Sequence, residues 1–380
     1  VGAAPGGMVI HAASVGEVNA AVPLISALLS EQPEKPMTIT TFTPTGSRRV
    51  RDVVGERVHH VYAPLDLPGA VKRFFHGLQP GLLIVMETEI WPNLFHQAGQ
   101  RETPVLLANA RLSEASVRGY QRVPGLVSEA LGNVAWVGAQ SPSDAERLIA
   151  CGAPAHETVV TGNLKFDIKV APTLAGEAAK LRERWGAGRP VLTAGSSRPD
   201  DEEVLIAAFL HIRETMDNAL LILVPRHPER FGEAASRSRR AGLRVALRSD
   251  GAACPAETDC FVIETMGELM RYYACSDVAF VGGTFADIGG HNLLEPAALG
   301  KPVLFGPHTY NIEQVARALE DCGGGRRLAS AEELAEAALS LLQDSDARNR
   351  AGRAAFELVE SGRGSLAQTL EAIQRIDGRT

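Results

Sequence analysis

Short apolar segments alternate with segments of helical apolar spacing along most of this chain. Runs typical of buried strands in the first half are Met8–Ala13, Met37–Phe42, Val58–Tyr62, Leu82–Met86, Pro104–Ala108, Val134–Gly138 and Thr158–Thr161. Those in the second half are Pro190–Gly195, Ala219–Val224, Arg244–Leu247, Cys260–Ile263, Asp277–Val281 and Pro302–Phe305. Because few other architectures bury short strands between helices, the pattern predicts an α/β protein with parallel sheets covered on both faces.

The length of 380 residues favours two domains of this kind. A polar stretch between Lys165 and Pro190 separates the two series of strands and predicts the crossing between domains. We therefore expect a first Rossmann-like domain over residues 1–170 and a second over 171–350. The helical residues 351–380 are expected to pack back on the first domain.

Composition excludes several classes of protein. A net charge of −7 argues against nucleic acid as a partner. The five cysteines are odd in number and widely spaced, so neither a disulfide framework nor a zinc site is indicated. No apolar run reaches the length of about 18 residues that marks a transmembrane helix, and no secretory signal is visible. No aspartate pair suits a magnesium–diphosphate site, so we expect no metal cofactor.

A glycine-rich stretch in the second half predicts a nucleotide site. An apolar strand runs into Gly282-Gly283, and Gly289-Gly290 precedes a short helix. Glycines let a backbone approach a ligand closely, and a helix start offers unpaired N–H groups to a phosphate. Glu295 in the first helical turn has two oxygens that can accept from a ribose diol. An ordinary strand–helix–strand unit with glycine turns is the alternative.

Three charged residues follow strands of the first half, where ligands bind in parallel sheets. Glu17 follows the first strand and is either a general base or a carboxylate that only complements the helix dipole. The dipole would lower its basicity. Glu87 ends an apolar strand and suggests either a functional group or a structural hydrogen bond. Lys165 is either a solvated charge or a contact for an anionic substrate.

Polar groups also follow strands of the second half. Ser197 and Arg198 leave its first strand, and Pro225 and Arg226 leave its second. Hydroxyl and guanidinium groups at these positions suit a phosphate or diphosphate ligand. The segment Met266, Gly267 and Glu268 opens a helix, where its backbone could contact a base edge.

Basic and aromatic residues in the first half suit an acidic lipid surface. They are Arg48-Arg49 and the run Val71-Lys72-Arg73-Phe74-Phe75. The alternative is that Phe74 and Phe75 belong to the core.

Six motifs occur in the order found in one enzyme family. They are His11–Glu17 (HAASVGE), Glu87–Asn93 (ETEIWPN), Gly162–Asp167 (GNLKFD), Gly195–Arg198 (GSSR), Pro225–Arg230 (PRHPER) and Gly289–Pro296 (GGHNLLEP). Together they resemble the 3-deoxy-D-manno-octulosonic acid (Kdo) transferases, glycosyltransferase family 30. The resemblance covers nearly the whole chain.

The resemblance implies a GT-B fold, two Rossmann-like domains whose parallel sheets face each other across a cleft. It implies inverting transfer of Kdo from CMP-Kdo to a lipid A precursor at the cytoplasmic face of the inner membrane. Glu17 would be the catalytic base, and Glu87 and Lys165 the pair that stabilises the transition state. The CMP contacts that it implies are Pro225, Arg226, Met266, Gly267, Glu268, Asn292, Leu293, Leu294 and Glu295.

The chain departs from the family at its start, because family members carry an N-terminal hydrophobic anchor and this sequence begins at the first strand. We expect membrane association through surface patches, or an anchor removed from this chain. Two alternatives to a Kdo transferase are another GT-B enzyme, such as a UDP-sugar transferase or epimerase, and a non-enzymatic binding module with an inactive site.

Overall fold

A computed structural model describes residues 5–186, 188–251 and 254–378. The chain divides into two compact units. The first unit runs to Asp167 and resumes at Gly362, and the second unit is Ile168–Ser361. The boundaries therefore lie at 167/168 and 361/362, whereas the sequence suggested 170/171 and 350/351. Residues 351–361 stay with the second unit because they belong to a long helix that begins within it.

The first unit contains a seven-stranded parallel sheet. Its strands are β1 (Met8–His11), β2 (Met37–Thr41), β3 (His59–Tyr62), β4 (Leu82–Met86), β5 (Val105–Ala110), β6 (Val134–Ala139) and β7 (Thr158–Val160). Its helices are α1 (Val15–Glu31), α2 (Pro44–Val53), α3 (Pro68–Leu78), α4 (Pro92–Gly99), α5 (Glu114–Tyr120), α6 (Pro124–Gly132) and α7 (Pro142–Ala150), with short 3-10 helices at Gly55–Arg57, Ala155–Glu157 and Leu164–Phe166.

The second unit repeats this architecture. Its helices are α8 (Leu174–Trp185), α9 (Pro199–Thr215), α10 (Phe231–Arg240), α11 (Leu269–Cys275), α12 (Leu294–Ala297), α13 (Glu313–Asp321), α14 (Ala331–Gln343) and α15 (Ser345–Gly362), with 3-10 helices at Pro228–Arg230 and Arg248–Asp250. Its strands are β8 (Val191–Ser197), β9 (Leu220–Pro225), β10 (Val245–Leu247), β11 (Cys260–Val262), β12 (Val278–Val281), β13 (Val303–Phe305) and β14 (Gly325–Arg327).

The strand orders place one reversal point in each sheet. The first order is β3-β2-β1-β4-β5-β6-β7, and the second is β10-β11-β9-β8-β12-β13-β14. In the first sheet β2 and β3 lie on one side of β1, and in the second sheet β9, β11 and β10 lie on one side of β8; the later strands lie on the other side. The order therefore reverses between β1 and β4 and between β8 and β12. Ligands of open α/β sheets bind at such points, outside the carboxyl ends of the strands. The predicted α/β class with Rossmann-like halves is confirmed.

The C-terminal helix α16 (Ser365–Asp377) packs on the sheet of the first unit. Leu366 and Ile373 join a core built from β1, α1, β2 and β4. The Asp167 carboxylate accepts hydrogen bonds from the N–H groups of Gly364 at 2.9 Å and Leu366 at 2.8 Å. This carboxylate caps the start of α16. A side chain at the 167/168 boundary therefore fixes the helix that begins just after the 361/362 boundary.

No helix in residues 5–186, 188–251 and 254–378 combines the length and apolar character needed to cross a membrane.

Candidate active site

Two acidic residues lie at the reversal point of the first sheet. Glu17 is in the first turn of α1, after β1, and Glu87 follows β4 directly. Strands β1 and β4 pair with His11 opposite Val85, so their carboxyl ends lie side by side. Both side chains are buried, with residue exposures of 8% for Glu17 and 6% for Glu87.

The Glu17 carboxylate is held by the start of its own helix. Ser14 is the N-cap of α1, and its Oγ accepts from the Glu17 N–H at 3.4 Å. The same hydroxyl donates to Glu17 Oε1 at 2.9 Å, and the Ala13 N–H donates to Oε2 at 2.8 Å. This is a variant of the capping box, in which side chain and backbone satisfy each other at a helix start. A Cβ at Gly16 would meet only Ser14 Oγ, at 3.7 Å, within the described residues, so this side of the turn is open.

Burial raises the pKa of Glu17 to about 7. This value already includes the hydrogen bonds from Ala13 and Ser14, which lower the pKa, and the negative charges of Glu89 and Glu87, which raise it. The expectation that the helix dipole makes Glu17 a weak base is therefore wrong, because desolvation outweighs hydrogen bonding to the ionised form. A carboxylate with this pKa is suited to accept a proton near neutral pH.

Glu87 adopts a backbone conformation that is unusual for a residue with a side chain. Its φ is +55°, in the left-handed region, while its N–H donates to the Ala108 carbonyl at 3.0 Å. Arg111, after β5, places Nε 2.9 Å from Glu87 Oε2. A strained backbone of this kind costs about 1–3 kcal/mol and is common where a side chain must point in a functional direction.

A second acidic side chain near Glu17 belongs to a polar network. Trp91 Nε1 donates to Glu89 Oε2 at 2.7 Å, and His11 Nε2 lies 3.9 Å from the same oxygen. The other ring nitrogen of His11 is 2.8 Å from Thr40 Oγ1. The neighbouring His11 ring lowers the pKa of Glu89, and the hydrogen bond from Trp91 adds to this effect. Glu89 thus stays ionised and favours the protonated form of Glu17.

Lys165 lies in the 3-10 helix that follows β7, and this helix packs against α1. The side chain of Asn163 caps the helix by accepting from the Lys165 N–H at 3.0 Å. Asn109 Oδ1, at the end of β5, accepts from the Leu164 N–H at 3.0 Å. These bonds fix the backbone beside α1, and no described residue forms an ion pair with the Lys165 ammonium.

Strands β8 and β9 bring the predicted phosphate contacts of the second unit together. Ser197 pairs with Pro225, and the Arg226 N–H donates to the Ser197 carbonyl at 3.0 Å. The Ser197 hydroxyl is directed at Glu202, at 3.3 Å, which leaves its lone pairs as acceptors. Arg198 follows Ser197 as the N-cap of α9 and supplies a second guanidinium besides that of Arg226.

The segment Asn292–Glu295 differs from the expected phosphate-binding helix start. Helix α12 has only four residues, and Asn292 Oδ1 accepts from the Leu294 N–H at 3.1 Å. The cap satisfies one N–H group and the dipole of so short a helix is small, so both weaken the predicted phosphate contact at this helix start. Asn292 Nδ2 also donates to Glu295 Oε1 at 3.3 Å, whereas the Leu293 and Leu294 side chains are buried. Burial raises the pKa of Glu295, against the effects of Asn292 and the Arg226 charge.

At the glycine pairs, the space that a Cβ would occupy is filled by other atoms of the same unit. Gly283, Gly289 and Gly290 have φ values of +73°, +84° and +87°, which glycine adopts without strain. A Cβ at Gly283 would lie 2.8 Å from the His291 ring, and one at Gly290 would lie 2.4 Å from Ile312. Loop packing therefore accounts for the glycines at these positions, and the approach of a ligand to their backbone stays a prediction.

The segment Met266–Glu268 precedes α11. Met266 is 61% exposed, and Gly267 has a φ of +85° with no described atom within 4 Å of its missing Cβ. Glu268 is committed to ion pairs with Arg248 at 3.2 Å and Arg271 at 2.8 Å. Its carboxylate is therefore neutralised, and Gly267 presents open backbone.

One buried carboxylate was not anticipated from the sequence. Asp201 is fully buried in α9 and accepts from the N–H groups of Arg198 (2.9 Å), Gly283 (2.6 Å), Thr284 (3.2 Å), Phe285 (2.9 Å) and Ala286 (3.3 Å). It thereby links the end of β8 to the turn after β12. An acid three residues after the N-cap was a visible capping signal, but its long-range partners were not.

Within the described ranges, no group of three or more His, Cys, Asp or Glu side chains is arranged to hold a metal ion.

Comparisons with known proteins agree with this geometry. A family model described as 3-deoxy-D-manno-octulosonic-acid transferase (kdotransferase) matches residues 2–168. The 3-deoxy-D-manno-octulosonic acid transferase of Haemophilus influenzae is 39% identical over 97% of this chain and 87% of its own length. The transferase of the same name from Bordetella pertussis is 36% identical over 96% of this chain and 86% of its own length.

Solved structures support the fold. The UDP-GlcNAc 2-epimerase of Neisseria meningitidis, bound to UDP-GlcNAc, superposes with a TM-score of 0.58 over 97% of this chain and 99% of that chain. At 12% sequence identity, this likeness concerns architecture alone.

Two Rossmann-like units with polar groups at both reversal points define a GT-B protein. The chain belongs to the 3-deoxy-D-manno-octulosonic acid transferases and is a glycosyltransferase.

Proposed function

We propose that this enzyme transfers Kdo, with inversion, from CMP-Kdo to a lipid A precursor in lipopolysaccharide biosynthesis. The structural observation that carries the proposal is the buried Glu17, whose pKa of about 7 suits it to act as a base at the end of β1. The names of the relatives support the transferred sugar. The donor, the acceptor and the individual roles below are our inference.

In the first unit, Glu17 would accept the proton of an acceptor hydroxyl. The oxygen forms a bond to the anomeric carbon of Kdo while the bond from that carbon to the phosphate oxygen breaks. Its electron pair leaves with CMP, and the configuration inverts because the base and the leaving group act on opposite faces. The open side of Gly16 supports close approach of an acceptor beside Glu17.

Glu87 and Lys165 would stabilise the charges of the transition state. Positive character builds up at the anomeric carbon, and the Glu87 carboxylate, fixed by Arg111 at 2.9 Å, would favour it. The Lys165 ammonium would favour the negative charge of the donor. Preorganised charges of this kind often supply much of the rate enhancement of an enzyme.

In the second unit, the nucleotide would lie at the ends of β8, β9 and β12. We assign the CMP phosphate to Arg226 and Arg198, with Ser197 positioning Arg226 through its backbone carbonyl. We assign the ribose diol to Glu295 with Asn292. The exposed backbone around Met266 and Gly267, followed by Glu268, would contact the base. Leu293 and Leu294 would contribute backbone groups only. CMP leaves as a stable anion that arginines can hold, so this scheme requires no metal.

We propose that exposed apolar side chains of the first unit contact the cytoplasmic face of the inner membrane and the lipid acceptor. Leu65 and Leu67, between β3 and α3, are 61% and 58% exposed, and Tyr62 at the end of β3 is 55% exposed. The exposed basic residues Lys72 and Arg73 follow on α3. Phe75, by contrast, is fully buried and belongs to the core. For Phe75, the alternative stated above, that it belongs to the core and does not contact lipid, is therefore the correct one.

Replacing both Leu65 and Leu67 with serine is expected to reduce sedimentation of the enzyme with vesicles that contain phosphatidylglycerol. Each buried leucine contributes about 1.5–3 kcal/mol, so the pair would weaken binding by roughly tenfold or more. The control is Leu210→Ser, a 38% exposed leucine of the second unit. Equal sedimentation of all three proteins would contradict the membrane assignment.

Mass spectrometry of a lipid A precursor after incubation with CMP-Kdo and the enzyme tests the function directly. The expected product is the precursor with one or more added Kdo residues, accompanied by CMP release. A thermal-shift comparison separates the main alternative, because stabilisation by UDP and not by CMP would favour a UDP-sugar enzyme. Lipid binding without turnover of any nucleotide sugar would favour a binding module.

The charge of Glu89 is expected to tune the pH dependence of the reaction. Because the base must be ionised, kcat/KM should rise with pH through the pKa of Glu17, about 7. The Glu89→Gln variant keeps an acceptor for Trp91 but removes a negative charge that raises this pKa. Its acidic limb should therefore move to lower pH. The measurement is the pH profile of kcat/KM, with the exposed Glu146→Gln as control.

An acidic limb that stays in place in Glu89→Gln, or that moves equally in Glu146→Gln, would remove Glu17 as the titrating group.

A further inference from the structure

The β8 and β9 ends carry more positive charge than one phosphate requires. We define the basic cluster as Arg198, Arg226, His227 and Arg230. Arg198 and Arg226 each follow one member of the Ser197–Pro225 pair, so they leave neighbouring strands at the same level. His227 and Arg230 flank the first turn beyond β9. The mutual repulsion of these groups lowers the pKa of Arg198 and of His227, although burial is the larger cause for both.

Nearby acidic groups neutralise the basic cluster only in part. Asp201 is occupied by five backbone N–H groups. Glu233 lies 2.9 Å from Arg230 Nη2 but also 3.4 Å from Arg237. Glu229 is 3.7 Å from His227 Nδ1, with its side chain 73% exposed. No described residue forms an ion pair with Arg198 or Arg226, so positive charge remains at the surface of this sheet edge.

Several buried nitrogen atoms of the basic cluster lack an acceptor. Arg198 Nε, His227 Nε2 and Arg230 Nε are all inaccessible to solvent and have no hydrogen-bond partner among the described residues. Native proteins leave few such atoms unsatisfied, so a group of three in one place indicates a ligand that supplies the acceptors. The acceptors must be anionic, because guanidinium groups bind carboxylate and phosphate through charge-assisted bonds.

In the proposed donor, two negatively charged groups are attached to the same carbon atom. In CMP-Kdo, the ester oxygen of the phosphate and the sugar carboxylate are both bonded to the anomeric carbon. A protein that neutralises the phosphate must therefore also accommodate a carboxylate a few ångströms away. Arg226 lies nearest the nucleotide contacts, since its charge acts on Glu295 and its N–H binds the Ser197 carbonyl.

We infer that Arg230 and His227, with the neighbouring Arg198, form a second anion subsite that binds the carboxylate of the donor sugar acid. This inference rests on the proposed function, because it assumes a CMP-linked sugar acid as donor. The subsite selects 2-keto sugar acids over neutral sugars, since a neutral sugar would leave Arg230 Nε and His227 Nε2 without an anionic acceptor. It is distinct from the phosphate contact of Arg226.

The test compares two ligands that differ by the sugar acid. In Arg230→Ala, the Kd of CMP should stay within about twofold of the wild-type value, because CMP has no carboxylate. The KM of CMP-Kdo should rise, and kcat/KM should fall roughly ten- to hundredfold, as expected for loss of a hydrogen bond to a charged group. Arg230→Lys keeps the charge without the planar fork and should show an intermediate loss.

Isothermal titration with CMP and steady-state release of CMP from CMP-Kdo provide the two measurements. Arg240→Ala, which removes an exposed arginine from the end of the next helix, α10, is the matched control and should change neither. Parallel weakening of CMP and CMP-Kdo in Arg230→Ala would overturn the inference, since the cluster would then be a single phosphate site. An unchanged KM for CMP-Kdo would also overturn it. Failure of the wild-type enzyme to bind CMP or turn over CMP-Kdo would instead refute the proposed function.

Discussion

Replacing Glu17 with glutamine is expected to lower kcat/KM by about 10²–10⁴-fold, the range for loss of a general base. Glutamine can still accept from the Ala13 N–H through its amide oxygen, so the start of α1 should keep its geometry. It cannot accept the proton of an acceptor hydroxyl. The affinity for CMP should not change, because the proposed CMP contacts belong to the second unit. Release of CMP from CMP-Kdo and titration with CMP measure the two effects.

The stability of this variant separates catalysis from folding. The pKa of Glu17 is about 7 in the folded protein, above its ordinary value of 4.5, so the native state binds the proton more tightly than the unfolded state. Native stability therefore falls as pH rises between these values, by at most roughly 3 kcal/mol. Glutamine carries no charge to desolvate. The Tm of Glu17→Gln should exceed that of the wild type at pH 8, and the difference should vanish below pH 4.5.

Glu31→Gln provides the matched control, because Glu31 is exposed at the other end of α1. It should leave both activity and Tm unchanged. Full turnover in Glu17→Gln would exclude Glu17 as the base. A Tm that falls at pH 8 would show that the carboxylate stabilises α1 and is not strained by burial.

The alternating pattern of strands and helices was sufficient to predict the architecture. Buried strands such as β4 and β9 are continuous apolar runs, and their carboxyl ends are marked by the first polar residues. Strand β14 was not predicted because its Gly325-Arg326-Arg327 sequence has no apolar pattern. It forms as an edge strand on β13, where Arg327 also binds Glu313 and Glu320.

The chemical state of the site could not be predicted from local sequence. The sign of the Glu17 pKa shift depends on how deeply the side chain is buried, and burial results from packing of distant segments. The packing role of Gly283 could not be predicted for a similar reason, since the His291 ring that lies beside it is eight residues further along the loop. The short helix expected after Gly289-Gly290 is present as α12, but the cap that Asn292 places on the Leu294 N–H was not predicted.

Asp201 shows how far such long-range effects extend, because one carboxylate organises the turn that follows β12. Once Gly283 is fixed by Asp201, its carbonyl accepts from the Gly290 N–H at 2.7 Å. The Gly282 carbonyl accepts from the His291 N–H at 3.2 Å, directly before the proposed donor contact Asn292. Residues 282–292, which we call the donor loop, therefore depend for their position on a side chain that need not touch the donor.

Replacing Asp201 with asparagine is expected to lower kcat/KM for CMP-Kdo by about 10²-fold, the cost of misplacing a binding group by roughly 1 Å. One amide oxygen cannot serve five N–H donors, and the amide NH₂ would face some of them. Each orphaned N–H costs about 1–3 kcal/mol, so Tm should also fall. Kinetics at a temperature well below the measured Tm separate loss of function from unfolding, and the exposed neighbour Asp200→Asn is the control.

Chemical rescue distinguishes positioning from general stability. In Asp201→Gly, the five N–H groups would surround an empty space the size of a small carboxylate, since backbone N–H groups that converge in this way bind anions. Added formate should then restore part of kcat/KM for CMP-Kdo, mainly through KM, whereas acetamide, which is neutral, should not. If formate raises Tm but leaves the kinetics unchanged, Asp201 only stabilises the fold. A recovery of KM would instead mean that a negative charge at the start of α9 sets the position of the donor loop.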